Sequence, residues 1–220
     1  MTTFKHNQPL IYQIIRFFIY ATTVILLAEF IRFDAGFGDV EAKFSESSYT
    51  EYLQSLLLLV SSILLFVIYR KSQAYRYVAL LLFGLTAASF IREQDVYFET
   101  FVGQTSWQYP VFIVLGFSLY GVIKNWSAFI SQLTSYRQSF SCGIFTFGFI
   151  TTYVFSRLFG RKVFWYAVME DHFVRGVKNA AEECLELYGY LAILIAVIEL
   201  MLLAKQQSPK FKELNDNLLS

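Results

Sequence analysis

Six apolar runs follow one another along the chain, at 14–33, 53–69, 77–91, 110–123, 141–159 and 185–204, separated by short polar loops. A helix needs about 20 mostly apolar residues to cross the hydrocarbon core of a bilayer. In lipid, only segments that close their own backbone hydrogen bonds can span. The pattern predicts an all-α, polytopic membrane protein: one domain over residues 1–220 with six transmembrane helices. The third and fourth runs are short for a span, so their helices are expected to extend into flanking polar residues. Pro110 suits the first turn of the fourth.

Composition agrees. Charged residues make up 16% of the chain and hydrophobic residues 56%, against about 25% and about 45–50% in soluble domains. A net charge of +1 gives no reason to expect nucleic acid. Lys5 and Arg16 precede the first run as in a signal peptide. However, "AEFIRFD" leads directly into charge without a small-residue cleavage site, which predicts an uncleaved first span.

The loops divide by charge. Lys5, Arg16, Arg70, Lys71, Arg76, Lys124, Arg137, Lys205, Lys210 and Lys212 fall on one side of the six runs, with only Glu199, Glu213 and Asp216. The other side holds eight cations and fourteen acids, among them Asp39, Glu41 and Glu46. Lys and Arg mark cytoplasmic loops, so a multi-pass protein of the cell (inner) membrane with both termini cytoplasmic is expected. The fifth loop, with five cations on the opposite side, departs from the rule. Cys142 and Cys184 fall at opposite ends of their spans, too far apart to pair. His6 lies in the N-terminal tail.

The fifth loop, "GRKVFWYAVMEDHFVRGVKNAAEECLE", contains no proline. It is expected to form an amphipathic outer helix from about residue 163, continuous with the last span. Asp171, Arg175, Lys178, Glu182 and Glu186 would share one face, pairing Asp171 with Arg175 and Lys178 with Glu182. Glu186 is left inside an apolar run. An ionisable group at that depth faces the bundle interior and takes a partner from another helix. Arg32, Arg92 and Arg157 stand at the right level, and Glu29 lies three residues before Arg32. A polar cluster of Glu29, Arg32, Arg92, Glu93, Arg157, Glu182 and Glu186 is therefore expected. It would serve either as an interhelical ion-pair network or as a site for a cation or polar substrate.

Chemistry-bearing motifs are sparse. There is no His-Glu-x-x-His, G-x-S-x-G, P-loop or dinucleotide fingerprint. No cofactor is expected. A divalent cation held by carboxylates remains an option, with Glu182, Glu186 and His172 as the weak ligand candidates. Glu199 is expected to snorkel towards water near Lys205. "NWSAFISQLTSYRQSF" reads either as an amphipathic surface helix or as an extension of the fourth span. Gly84, Gly116, Gly121, Gly143 and Gly148 would permit close helix contacts. "AEFIRFD" and "ASFIREQD" echo each other, each with an Arg at a helix end and an acid soon after.

Three functional classes fit, in this order. The first is an accessory or scaffold protein that binds the bilayer and another membrane protein. The second is a small cation or solute transporter, or an ion-binding protein. The third is a membrane enzyme using carboxylates on a lipid-linked or polar substrate.

Overall fold

A computed structural model describes residues 10–37, 43–44 and 48–207. Lys5, His6, Asp39, Glu41, Glu46, Lys210, Lys212, Glu213 and Asp216 lie outside the described residues. Within them the chain is helical and contains no strand.

The helices are α1 (Leu10–Asp34), α2 (Tyr49–Lys71), α3 (Arg76–Arg92), α4 (Asp95–Phe101), α5 (Gln108–Lys124) and α6 (Trp126–Tyr136). They continue with α7 (Phe140–Ile150), a π-helical turn (Thr151–Phe155), α8 (Ser156–Phe159), α9 (Lys162–Met169) and α10 (Arg175–Gln206). Each of the six apolar runs lies within or largely coincides with a helical stretch. Four of these are long and apolar enough to cross a membrane: α1, α2, the continuous stretch Phe140–Phe159, and α10. α5 with α6 makes a fifth if the pair counts as one broken span. α3 and α5 have 17 residues each.

Local chemistry explains the starts. Ser48 caps α2 by accepting from Glu51 N, and Ser139 caps α7 by accepting from Cys142 N. Inside the bundle, Ser61, Ser62 and Thr86 turn their hydroxyls back onto carbonyls four residues earlier in their own helices. This satisfies a buried hydroxyl within its own helix, and Ser62 is also 3.0 Å from Thr86 across α2 and α3.

α2 packs on α3 and α10, α3 on α5, and α10 on α7. α7 approaches α10 closely because glycine faces glycine there. A Cβ on Gly148 would sit 2.8 Å from the carbonyl oxygen of Gly189. Gly84 and Gly121 also lie against neighbouring side chains, whereas Gly116 and Gly143 face open space.

Contacts assign two ends to the bundle. At one end Arg16 meets Glu199, and Gln132 accepts from Tyr77 N and donates to the carbonyl of Gln73. At the other, Asp34 meets Thr50, Gln54 meets Glu183, and Arg92 meets Glu186. We call these the basic end and the mixed-charge end. Both cysteines are free.

Three expectations need correction. The segment before the last span is not one helix: α9 ends at Met169, Glu170 has φ +51°, and α10 starts only at Arg175. Phe173 stacks on Tyr166 at 4.1 Å, folding the turn back onto α9. Asp171 and Arg175 therefore sit on different elements, while the Lys178–Glu182 pair within α10 is formed.

Second, Glu199 does not snorkel. It is buried, accepts from Arg16 Nη1 at 3.1 Å, and is also bonded by the Tyr20 hydroxyl. Third, "NWSAFISQLTSY" does not extend the fourth run: α6 is a separate helix, bent 96° from α5, with Phe129 and Tyr136 buried and Trp126 and Ile130 exposed, and it is held to α3 by Gln132. The two echoing segments pair their Arg alike, Arg32 with Glu29 and Arg92 with Glu93, but differ in the acid that follows. Asp34 accepts at the start of α2, from Thr50 N at 2.9 Å and Thr50 Oγ1 at 2.5 Å, whereas Asp95 accepts from its neighbour Val96 N.

Candidate functional site

α10 carries three acids of the mixed-charge end, Glu182, Glu183 and Glu186. Glu182 and Glu186 lie one helical turn apart and so project to the same side. Opposite them, the π-helical turn widens the α7–α8 stretch by one residue. It buries Thr151 and Thr152 and sends Ser156 and Arg157 towards α10. Such single π-turns recur at functional sites.

Arg157 bridges the two glutamates. Nη1 is 3.1 Å from Glu182 Oε1, and Nη2 is 3.0 Å from Glu186 Oε1. Ser156 Oγ donates to Glu186 at 3.3 Å. From α3, Arg92 Nη2 stands 2.7 Å from Glu93 and 3.9 Å from Glu186. The buried Tyr190 hydroxyl donates to Glu93 at 3.0 Å. Lys178 closes on Glu182. One linked network thus joins α3, the α7–α8 stretch and α10.

Burial is graded across it. The Glu186 side chain is 3% exposed and Arg157 42%. The arginines reach in from the rim with their stems on the helices, and the carboxylate sits at the floor. A buried charge is tolerated only when paired and hydrogen-bonded, and Glu186 is both.

Five of the seven residues expected to cluster are in this network: Arg92, Glu93, Arg157, Glu182 and Glu186. Glu29 and Arg32 are not. They bond each other at 2.7 Å on an exposed face of α1. α1 is apolar on all sides, so its sequence does not say which face turns inward, and the structure turns this pair outward. His172 lies exposed in the turn before α10. Among the described residues no three His, Cys, Asp or Glu side chains gather as a metal site.

Sequence reasoning missed Glu183 and Gln54. Gln54 Nε2, from α2, donates to the Glu183 carboxylate at 2.9 Å and to its carbonyl at 3.1 Å. Gln54 is fully buried, and its Oε1 accepts no hydrogen bond. The one signal available was a lone glutamine in a leucine-rich helix. Tyr153 was missed too; its hydroxyl bonds Ser89. Beside that pair a crevice of about 350 Å³ opens, lined by Leu85, Ser89, Arg92, Trp107, Phe149 and Tyr153 among others.

Counting formal charges, the network and its neighbour Glu183 hold four carboxylates and three cations. The cations are all engaged by carboxylates, and Glu183 is held by an amide instead. No protein-family model matches this chain, and neither a curated protein nor a solved structure matches it.

Proposed function

We propose that this chain is a non-transporting accessory protein of the cell membrane: a six-span helical scaffold, both termini cytoplasmic, that binds another membrane protein. α3 and α5 are the fifth and sixth spans in this reading, completed at their ends by polar residues. The basic end faces the cytoplasm. The 32-residue α10, about 48 Å long at 1.5 Å per residue, projects beyond the bilayer at the mixed-charge end.

The observation that carries this reading is the apolar filling between the two charged ends. Leu58, Leu65, Leu187, Ile193 and Leu200 are at most 1% exposed, and the Ser61, Ser62 and Thr86 hydroxyls among them bond carbonyls of their own helices. A carrier needs polar groups along a path, and this interior is packed instead. The charged network then fixes helix positions. α5, which presents Tyr109, Phe112, Phe117 and Tyr120 outwards, supplies the aromatic face for a partner helix.

The test is site-specific photo-crosslinking in cells. A photoreactive residue at Phe112 should give a discrete adduct with one membrane protein, and the same residue at the buried Phe145 should give none. Lipid adducts alone at Phe112 would contradict the scaffold.

A second reading rests on Gln54 and Glu183. An unpartnered buried acceptor beside a carboxylate without a cation suits a bound cation, so an ion-binding role for the mixed-charge end is the alternative. Selective thermal stabilisation by one cation, lost in Glu183→Gln, would favour it.

A further inference from the structure

α1 is fastened to the bundle by polar contacts near its two ends and packs on the core through Leu27, Val24 and Ile31. At the mixed-charge end Asp34 is buried against Thr50. At the basic end Arg16 and Tyr20 hold Glu199. Leu27 and Asp34 are its only buried residues. Around the basic-end fastening lies a cavity of about 890 Å³, walled by α1, the start of α7 and the end of α10, with Arg16, Tyr20 and Glu199 themselves in its lining.

The lining is polarised. Phe17, Val24, Ile25, Leu202 and Leu203 make its long walls apolar, and polar groups line the rest, among them Gln13, Arg16, Gln206, the hydroxyls of Ser139 and Ser141, and the Glu199 carboxylate that Arg16 and Tyr20 hold. Arg16 spends only Nη1 on Glu199. Among the described residues nothing accepts from its Nε or Nη2, and its side chain is 29% exposed. The basic end carries seven Lys and Arg against the single acid Glu199 among the described residues.

A largely apolar gap of this size, left unfilled, forfeits dispersion contacts along its walls, and about 890 Å³ falls in the range of ligand cavities, about 300–1,000 Å³. We infer that the α1 cavity holds one acyl chain of an anionic bilayer phospholipid, with its phosphate against Arg16. The occupant's chemistry follows from the lining: an apolar tail along the walls, a negative head at the cationic mouth. A zwitterionic lipid offers the same tail but less net attraction to a basic surface. This site is separate from the charged network and does not depend on the scaffold reading.

The test is native mass spectrometry of the full chain, released from detergent after incubation with equal amounts of phosphatidylglycerol and phosphatidylcholine of matched chains. One phosphatidylglycerol should be retained per protein in preference. Arg16→Gln should reduce the preference roughly fivefold, the weight of one basic residue near a headgroup. Ala21→Phe, which fills the cavity wall without touching a charge, should abolish retention of both lipids while the protein still melts cooperatively. Equal retention of the two lipids, retention unchanged in Ala21→Phe, or no lipid retained by the wild-type chain would each overturn the assignment. The last outcome would mean that another part of the protein or a partner helix fills the cavity.

Discussion

Arg157 Nη2 lies 3.0 Å from Oε1 of Glu186, joining a half-exposed guanidinium on α8 to a carboxylate that is nearly sealed within α10. The asymmetry sets the cost of separating them. Removing Arg157 leaves Glu186 with Ser156 at 3.3 Å and Arg92 at 3.9 Å. Arg157→Met should cost about 3 kcal/mol, the lower end for breaking a buried pair, read as thermal unfolding in detergent. A change under about 0.5 kcal/mol would show that the pair contributes nothing.

Close packing of α7 on α10 gives a second prediction. Gly148→Ala places a Cβ 2.8 Å from the Gly189 carbonyl oxygen, a backbone atom that cannot swing aside. The helices must separate, at about 1–3 kcal/mol for an overpacked contact. Gly143→Ala, which meets open space, should be neutral within about 0.5 kcal/mol. Thermal unfolding of the two variants side by side checks the contrast.

Asp34 fastens α1 to the start of α2. Asp34→Ala leaves the buried Thr50 N–H and hydroxyl without their acceptor. It should cost about 2 kcal/mol, as for a lost hydrogen bond to a charged group. Limited proteolysis should then cut near residue 34 at a lower temperature than in the wild type. Unchanged cleavage and unchanged melting would show that α1 is held by other contacts.

Much of this was legible beforehand, for identifiable reasons. "LQSLLLLVSSILLFVIY" is too long and too apolar to be anything but a buried or lipid-facing helix, and α2 spans it. Glu182 and Glu186 repeat at helical spacing beside an apolar run, which called for cations from other helices, and Arg92 and Arg157 answer. Glu29 and Arg32 were drawn in by the same logic, but rotation about a uniformly apolar helix is set by packing. The break at 170–174 was hidden because it uses neither proline nor glycine; Glu170 itself takes the positive φ. Gln54 was hidden because its partner, Glu183, is 129 residues away.

Membrane topology has a direct check. With the native Cys142 and Cys184 replaced by serine, a single cysteine at His172 should react with an impermeant maleimide added to intact cells, and one at Gln207 should react only after lysis. The reverse pattern would invert the orientation, and reaction at both sites in intact cells would remove the even number of spans.

The ion-binding alternative is settled by thermal unfolding of the purified protein with chelator and then with a panel of monovalent and divalent cations. A ligand that binds only the folded state, at 100 times its dissociation constant, adds about 2.7 kcal/mol. The scaffold account expects no selective shift.

The most direct test of the account is a double-mutant cycle on Arg157→Met and Glu186→Gln, measured as unfolding free energy in one detergent. If the network fixes helix positions, each single variant is destabilised, and the double variant recovers a coupling of about 1 kcal/mol or more. Additive effects, with Glu186→Gln alone as stable as the wild type or more so, would contradict it: Glu186 would then be a strained functional carboxylate that the fold tolerates at the expense of stability.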